Sequence, residues 1–290
     1  MDETATNTSN DSPDHTKGDS LNDALAALAE VKPLSPPDDF ADLCADFGIE
    51  LSPDELARLG RFLAMVLRGN ESMNLTAIKD PAEAWSRHIF DSLTPLAALA
   101  ELPERAKVID VGTGAGFPGV PLAIALPHLR FTLLDATGKK CQFLAAATDA
   151  IGLENTEVVQ ARAEAAGQDR GERTGTGRVG GHRERYDAVV SRAVGRLATL
   201  VELTAPLCAP GGLIALTKGA RVEEELEEAE FAIREVRLVH AHTLPTPTGR
   251  LVVFEKRSAT PRTYPRRDGE PKSRPLGVAR HQRETGRENR

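Results

Sequence analysis

The chain has 290 residues, of which 40% are hydrophobic, and a formal net charge of −7. This length suffices for one well-cored domain with appendages or for two small domains. No run approaches the roughly 18 apolar residues of a membrane span, and the acidic N-terminus lacks the apolar core of a secretory signal. The three cysteines are widely spaced, show no metal-ligand pattern and argue against a disulfide framework. We therefore expect a cytoplasmic protein with neither a membrane segment nor a metal.

Charge is distributed unevenly along the chain. Residues 1–60 hold fourteen acids and three bases, whereas residues 258–290 hold nine bases and four acids. The body between them is nearly neutral and ends in a basic stretch. This polarity permits contact with an anionic partner, although the net charge alone argues weakly against nucleic acid.

The N-terminal part is predicted to be an extension followed by helices. Residues 1–36 are polar, acidic and poor in aromatic residues, which predicts disorder, although one short apolar patch within them can form helix. Residues 37–100 form a predicted helical region. Ser52 and Glu55 have the spacing of a capping box at the start of one helix, and Asp80 is placed to cap the next.

From residue 107 onward, strand and helix patterns alternate. This alternation predicts an α/β domain over residues 101–257, with helices on both faces of a mostly parallel sheet. The turn PTPTG before the last strand is too short for a parallel crossover, so that strand is predicted to be antiparallel. The predicted strands lie at 107–111, 131–134, 156–160, 186–191, 212–217, 236–242 and 250–256, and the helices near 118–126, 138–151, 196–206 and 221–234.

Two stretches lack apolar periodicity. Residues 165–185 are rich in glycine and arginine, which predicts a long flexible loop. Residues 258–290 are predicted by composition to be a basic disordered tail. Basic stretches of this kind can contact the phosphates of an anionic partner, and a solubilising disordered segment is the alternative for each.

The run VIDVGTGAGFPG places three glycines at alternate positions directly after the first strand. Gly112, Gly114 and Gly116 tolerate positive φ and leave backbone bare where a ligand binds at the carboxyl end of a parallel sheet. A dinucleotide fingerprint would require glycine where Phe117 stands, which disfavours an NAD-dependent oxidoreductase. The acidic Asp110 suits the ammonium and sulfonium groups of S-adenosylmethionine and would repel a pyrophosphate. A tight structural turn is the alternative interpretation.

Two further features favour a nucleoside cofactor. Asp135 ends the second strand, about twenty residues beyond the glycines, where a carboxylate can accept both ribose hydroxyls. Ala163 and Glu164 follow the third strand, where backbone and carboxylate could read an adenine edge. Taken singly, each is compatible with a helix cap or a solvated turn.

Several motifs in this order and spacing make a specific resemblance: NLTAIKDPAEAWSRHIFDSL, VIDVGTGAGFPGVPLAI, FTLLDATGKKCQFL, YDAVVSRA and LTKG. From about residue 45 to 257, the chain resembles the ribosomal RNA small subunit methyltransferase G family, also called the glucose-inhibited division protein B family. The stretch YPRRDGEPKSRPL is similar to the basic tail of many members. Two features depart from the family: the length of the loop at 165–185 and the acidic extension at 1–36. Either could alter docking on RNA.

The resemblance implies a class I, Rossmann-like methyltransferase fold with seven strands, S-adenosyl-L-methionine as cofactor, and 16S ribosomal RNA of the small subunit as substrate. It implies methyl transfer to N7 of one guanine. The cofactor contacts that carry over by position are Gly112, Phe117, Ala163, Glu164 and Arg192.

The chemistry of N7 agrees with what the sequence lacks. Guanine N7 offers a lone pair and carries no proton, so attack requires positioning of the reactants and no general base. The fourth sheet strand ends in SRAVG, without the Asn/Asp-Pro-Pro-aromatic motif of amine methylation or the Pro-Cys motif of carbon methylation.

Three basic residues at the carboxyl rim of the sheet are candidates for the catalytic machinery. Arg192 can clamp a carboxylate or a phosphate through two hydrogen bonds. Arg162 has the same possibilities, and Lys218 could contact an RNA phosphate. Each could equally be a solvated ion-pair residue.

Asn74, Arg87 and His88 resemble a family motif that borders the active site, and we assign them to the substrate side. Arg87 and His88 lie one turn before Asp91 on a predicted helix, so a surface ion pair that packs the helices on the sheet is the alternative.

Two other functions stay open at this point. A small-molecule methyltransferase would share the glycine loop and Asp135 but would have no reason for basic appendages. A non-catalytic regulator would bind the cofactor without turnover. A monomer is the default expectation, although the sequence does not reveal the oligomeric state.

Overall fold

The computed structural model describes residues 21, 23–175, 177–192 and 195–278. The predictions made for residues 1–20 and 279–290 lie outside the described residues.

A seven-stranded sheet forms the centre of the fold. Its strands are β1 Lys107–Val111, β2 Arg130–Asp135, β3 Thr156–Gln160, β6 Tyr186–Ser191, β7 Cys208–Lys218, β8 Leu238–Thr246 and β9 Gly249–Lys256. They lie side by side in the order β3-β2-β1-β6-β7-β9-β8. Its strands pair in parallel except β9, which runs antiparallel to both neighbours. The prediction of an antiparallel last strand is confirmed, because only two residues join β8 to β9.

Helices cover both faces of this sheet. Those before the sheet are α1 Phe40–Asp46, α2 Pro53–Met73, α3 Pro81–Ala84, α4 Asp91–Leu93 and α5 Leu96–Leu99. Those within and after it are α6 Gly119–Ala125, α7 Gly138–Ala150, α8 Ala163–Gln168, α9 Leu197–Thr204, α10 Val222–Glu235 and α11 Glu270–Ser273.

The N-terminal helices pack on one face of the sheet and share its core. Phe62 of α2 and the completely buried Trp85 lie in one apolar cluster with Phe117 and Phe143. The capping box at the start of α2 is present: Ser52 Oγ accepts from the Glu55 amide, and the Glu55 carboxylate accepts from the Ser52 amide. Burial of Phe62 and Trp85 together with Phe117 holds the N-terminal helices next to the glycine run.

Between α3 and α4, the helix widens into a π-helical segment, Trp85–Phe90. Such segments are rare, and they occur often at functional sites. Within this segment, the Arg87 carbonyl and the His88 ring contact Arg192 at the end of β6. The sequence pattern predicted a helix here but contained no signal for the widening.

Residues 165–185, where a long flexible loop is predicted, include regular secondary structure. The stretch holds the end of α8 and an antiparallel hairpin, β4 Glu172–Thr174 with β5 Gly177–Val179. The buried Arg183 donates to the carbonyl oxygens of Gly167, Thr260 and Tyr264 at 2.7 to 2.8 Å. A side chain that binds distant carbonyls leaves no local apolar period, which is why composition indicated disorder.

Residues 258–278, which we call the C-terminal segment and which lie in the predicted disordered tail, contact the sheet domain. Arg266 pairs at 2.7 Å with Glu202, whose side chain has no solvent exposure. Thr199 Oγ1 donates to the Pro271 carbonyl at 3.0 Å, and Val278 is buried. The segment is anchored by polar contacts to the sheet domain, and such contacts are invisible to composition.

Part of the predicted disordered extension is structured as well. A 3₁₀ turn at Ala27–Glu30 buries Leu28. The Leu34 amide donates to the Gly60 carbonyl at 3.1 Å, and a Cβ on Gly60 would lie 2.2 Å from the Leu34 carbonyl oxygen. Glycine at this point of α2 permits the close approach.

Candidate active site

A cleft of about 730 Å³ opens at the carboxyl end of the parallel strands. We call it the sheet-end cleft. Its walls come from the ends of β1, β2 and β3, from α9 and from the C-terminal segment. Among the predicted site residues, five line it: Gly112, Asp135, Arg162, Ala163 and Glu164.

The three glycines of the loop serve different purposes. Gly112 has φ +72°, and a Cβ added to it would meet nothing within 4 Å, so its backbone is bare toward open space. Gly114 has φ +62°, and its amide donates to Asp135 Oδ2 at 3.0 Å. Gly116 has φ +106°, and a Cβ there would lie 2.7 Å from Phe62 Cζ. The third glycine therefore admits the N-terminal core, whereas the first faces the cleft.

Asp110 lies beneath the loop, not on the cleft wall. It is completely buried, and its Oδ2 accepts from the Gly119 amide at the start of α6 at 2.8 Å. Oδ1 and the nearby Thr113 Oγ1 have no hydrogen-bond partner among the described residues. Burial raises the pKa of Asp110 to about 6. In this arrangement Asp110 shapes the loop, and a direct cofactor contact by its carboxylate stays a prediction.

Asp135, at the end of β2, forms hydrogen bonds both to the glycine loop and to the residues just before α7. Its Oδ2 accepts from the Gly114 amide, and its Oδ1 accepts from the Thr137 amide at 2.8 Å. An ionised carboxylate has about four acceptor sites, so two backbone bonds leave capacity for ribose hydroxyls. The side chain is fixed in place before any ligand arrives.

Glu164 and Arg162 face the C-terminal segment across the cleft. Glu164 is buried, and its Oε1 accepts from the Gly269 amide at 3.1 Å. Arg162 lies 4.0 Å from Asp268, with 67% of its side chain exposed. Glu164 thus holds protein backbone through one oxygen, a contact that the sequence did not predict.

Four of the remaining predicted residues pack into one cluster. They come from the glycine run, the π-helical segment and the end of β6. The Phe117 ring stacks on His88 with centroids 4.6 Å apart and planes 15° from parallel. The Arg192 guanidinium lies 5.0 Å from the centre of the Phe117 ring. Arg192 also donates to the Arg87 carbonyl at 2.7 Å. Residues from three separate parts of the sequence are therefore in contact.

The hydrogen bonds of His88 determine its tautomer. Arg192 Nη2 lies 3.1 Å from His88 Nδ1, and a guanidinium can only donate. Nδ1 is therefore the acceptor, and Nε2 carries the proton and donates to Thr76 Oγ1 at 2.7 Å. Burial, followed by the charge of Arg192, lowers the pKa of His88 to about 4. The imidazole is neutral at physiological pH.

Two carboxylates balance the charge of Arg192. Burial lowers its pKa, and the charges of Asp91 and Asp110 act in the opposite direction. Asp91 is itself buried and accepts a hydrogen bond from Thr248 in the β8–β9 turn. Because Arg192 uses two of its five N–H donors in the bonds to Arg87 and His88, it retains donors for a ligand.

The other predicted residues lie apart from the sheet-end cleft. Asn74 is exposed at the end of α2 in the left-handed conformation, with φ 51°. The Arg87 side chain pairs at 3.4 Å with Glu83 on the helix surface. The buried Lys218 pairs at 2.8 Å with Glu225 and also donates to the Gly195 carbonyl. This geometry favours a structural role for Lys218 over the predicted phosphate contact.

Several cleft residues were not predicted from the sequence. They share a position on the rim or the far wall, and they are Thr137, Lys140, Arg196, Thr199, Asp268, Gly269, Lys272 and Pro275. A signal for Lys140 was available, because it lies in the first turn of α7, the helix that follows Asp135 at the end of β2. The residues of the C-terminal segment carried no such signal.

Within the described part of the chain, no helix is both long and apolar enough to cross a membrane. The same residues contain no group of three or more His, Cys, Asp or Glu placed to hold a metal ion.

Comparison with known proteins decides the family. The profile of rRNA small subunit methyltransferase G matches residues 55–249. The chain belongs to the rRNA small subunit methyltransferase G family. It is 45% identical over 240 residues to ribosomal RNA small subunit methyltransferase G of Sorangium cellulosum (strain So ce56), covering 83% of this chain and 96% of that protein. The enzyme of the same name from Lactobacillus delbrueckii subsp. bulgaricus is 38% identical over 247 residues, covering 83% and 99%.

Comparison of this member of the methyltransferase G family with solved structures gives partial alignments. A SAM-dependent methyltransferase from Aquifex aeolicus aligns with a TM-score of 0.42 at 18% identity, covering 60% of this chain and 97% of that one. The strand order and the antiparallel β9 confirm the predicted class I, Rossmann-like methyltransferase fold. The match to the family profile includes the hairpin region at 165–185 and excludes residues 1–54.

Proposed function

We propose that this member of the methyltransferase G family transfers a methyl group from S-adenosyl-L-methionine to N7 of a guanine in 16S ribosomal RNA of the small subunit. One observation carries the proposal: the bare backbone at Gly112, the carboxylate of Asp135 and the Ala163–Glu164 turn face one cleft at the carboxyl end of the sheet.

The residues present fit the cofactor. Gly112 leaves open space where any other residue would project a Cβ. Asp135 is held by two amides and retains acceptor sites for hydroxyls. Glu164 borders the opposite side of the same cleft. S-adenosylmethionine supplies a methyl group activated by its sulfonium. In the proposal, Gly112 and Asp135 orient it and Ala163–Glu164 bounds its base.

The protein's own part in the reaction is positioning and electrostatics. Because N7 attacks with a lone pair and loses no proton, no side chain must act as general base. The methylated purine is cationic, so further positive charge next to it would raise the barrier. A neutral His88 adds none, and Asp91 and Asp110 balance Arg192. We assign Arg192 to clamping a carboxylate or phosphate with its remaining donors.

Basic side chains on the rim of the sheet-end cleft support the proposal that RNA binds there. Four basic side chains line the cleft: Lys140, Arg162, Arg196 and Lys272. Arg162 is 67% exposed and Arg196 is 52% exposed at the side chain, and their carboxylate partners are 4.0 Å and 3.6 Å away. Loose, exposed pairs of this kind are worth little, so phosphates can displace the carboxylates at small cost.

The direct test uses the purified chain with isotope-labelled S-adenosylmethionine. Small-subunit particles, naked 16S RNA and a panel of small metabolites are offered as substrates, and mass spectrometry of nuclease fragments locates the label. We expect label at N7 of one guanine in RNA. Label only in a metabolite indicates a small-molecule methyltransferase, and cofactor binding without turnover on any substrate indicates a regulator; either result overturns the proposal.

The RNA surface has its own test. Arg196→Gln removes one exposed rim cation, and Arg257→Gln removes an exposed cation outside the sheet-end cleft. A phosphate contact contributes about one unit to the slope of log affinity against log salt. We expect the slope to fall for Arg196→Gln only. Equal slopes for both variants would remove Arg196 from the RNA surface.

A further inference from the structure

The wall of the sheet-end cleft that lies opposite the strand ends comes from the C-terminal segment. In the sequence this segment follows the last strand of the sheet. Asp268, Gly269, Lys272 and Pro275 all line the cleft opposite the β-strand ends. Residues 269–273 carry the short helix α11, which begins after the left-handed Gly269. The basic composition of this stretch suggested RNA binding, but its position is beside the proposed cofactor.

Anchors outside the cleft fix the path of this wall. Arg183 holds three carbonyl groups of residues 260–264 together, and Gln168 Nε2 donates to the Pro265 carbonyl at 2.9 Å. Arg266 forms its ion pair with the buried Glu202 of α9. These contacts hold the segment at its beginning and leave residues 267–275 to follow the cleft edge.

Inside the cleft, a hydrogen bond of Glu164 joins the wall to the side of the proposed cofactor. Glu164 Oε1 accepts from the Gly269 amide, and Glu164 begins α8 directly after the end of β3. The Gly269 amide contacts Oε1, and the Glu164 side chain also lines the cleft. One carboxylate therefore faces both the wall and the cleft. Thr199 supports the same wall from α9 through the Pro271 carbonyl.

We propose that residues 266–275 are a binding wall for S-adenosylmethionine and that Glu164 is the positioning residue that couples this wall to the bound cofactor. The inference rests on the proposed function and adds to it a part of the site contributed by the C-terminal segment. The wall narrows the cleft on the side away from the strands. A ligand in the cleft and the amide of Gly269 bind the same carboxylate, so each stabilises the position of the other.

The first test is hydrogen exchange of the full chain with and without S-adenosylmethionine, followed by mass spectrometry. We expect the cofactor to slow exchange of the amides in 266–275, while peptides of 222–235, which do not line the cleft, change little. Equal slowing in both regions would mean general stabilisation and would overturn the inference. Slowing of 266–275 by RNA alone, with none by cofactor, would overturn it as well.

The second test is the affinity for S-adenosylmethionine by calorimetry. We expect Glu164→Ala to weaken binding about tenfold or more, the scale of a lost charged hydrogen bond. Glu164→Gln keeps an acceptor oxygen and should bind within about threefold of the unaltered chain. Glu172→Ala, on the exposed hairpin, is the matched control and should leave affinity unchanged. Glu164→Ala should also abolish the selective slowing of exchange in 266–275.

The outcomes separate the two proposals. Failure of the unaltered chain to bind S-adenosylmethionine contradicts the proposed function. Binding by the unaltered chain together with unchanged affinity of Glu164→Ala contradicts the wall alone. If Glu164→Ala does not fold, the exchange experiment on the unaltered chain still decides the matter.

Discussion

Replacement of Arg266 by glutamine tests how the C-terminal segment is held. The Glu202 side chain has no solvent exposure, and Arg266 donates to it three times: from Nε at 2.9 Å, from Nη2 at 2.7 Å and from its backbone amide at 2.9 Å. The same hydrogen bonds to Glu202 are the main cause that raises the pKa of Arg266. Arg266→Gln leaves only the backbone bond and an uncompensated carboxylate.

The expected loss of stability follows from this geometry. Removing one partner of a buried ion pair costs about 3–5 kcal/mol. The whole fold is stable by about 5–15 kcal/mol, so the variant should still fold but with a clearly lower free energy of unfolding. The control is Arg257→Gln, whose pair with Glu255 has side chains 64% and 54% exposed. An exposed pair is worth about 0–1 kcal/mol.

Urea denaturation of the three proteins measures these free energies. A further variant replaces both partners, Glu202→Leu with Arg266→Met, and should recover most of the loss because no charge is left buried. If Arg266→Gln loses no more stability than Arg257→Gln, the buried pair does not hold the segment, and the reasoning fails.

Three further outcomes are expected. Asp135→Ala should weaken S-adenosylmethionine binding at least tenfold, about 1.4 kcal/mol or more; unchanged affinity by calorimetry would remove its ribose role. For His88, with a pKa of about 4 in the folded state and 6.5 as the ordinary value, the unfolded chain binds a proton more readily between these values, so stability falls as the pH falls through that window. The unaltered chain should lose up to about 3 kcal/mol in this way, and the His88→Gln variant should not. If the urea midpoints of the two proteins decline in parallel from about pH 7 to about pH 4, the reasoning is wrong. Gly116→Ala should unfold more easily by about 1–3 kcal/mol, since its Cβ meets Phe62; Gly112→Ala, which meets nothing, should lose less stability by the same urea assay.

The sheet and its first crossover could be predicted because their signals are local. Strand and helix periods follow from which faces are buried, and a short turn permits only an antiparallel β9. The glycine run after β1 and Asp135 after β2 could be placed at one edge, because parallel strands end together. The Ser52–Glu55 capping box is a local spacing as well.

The contents of the site could be predicted only in part. Gly112 and Gly116 read alike in the sequence, yet one faces open space and the other admits Phe62. Asp110 and Lys218 have residue types that suit a ligand, yet both are buried and already have partners within the protein. Nothing local distinguishes these cases, because the neighbours that decide them are far away in the sequence.

The sequence by itself determined the α/β class, the family and the edge of the sheet where a nucleoside cofactor would bind. Only the tertiary structure decided that Arg183 and Arg266 fasten the C-terminal segment and that this segment borders the cleft. The physical reason is the nature of the contacts. Apolar residues that face a core recur at a regular spacing along the sequence. A single arginine that binds distant carbonyls or a buried glutamate produces no such spacing, and in the sequence it resembles a solvated charge.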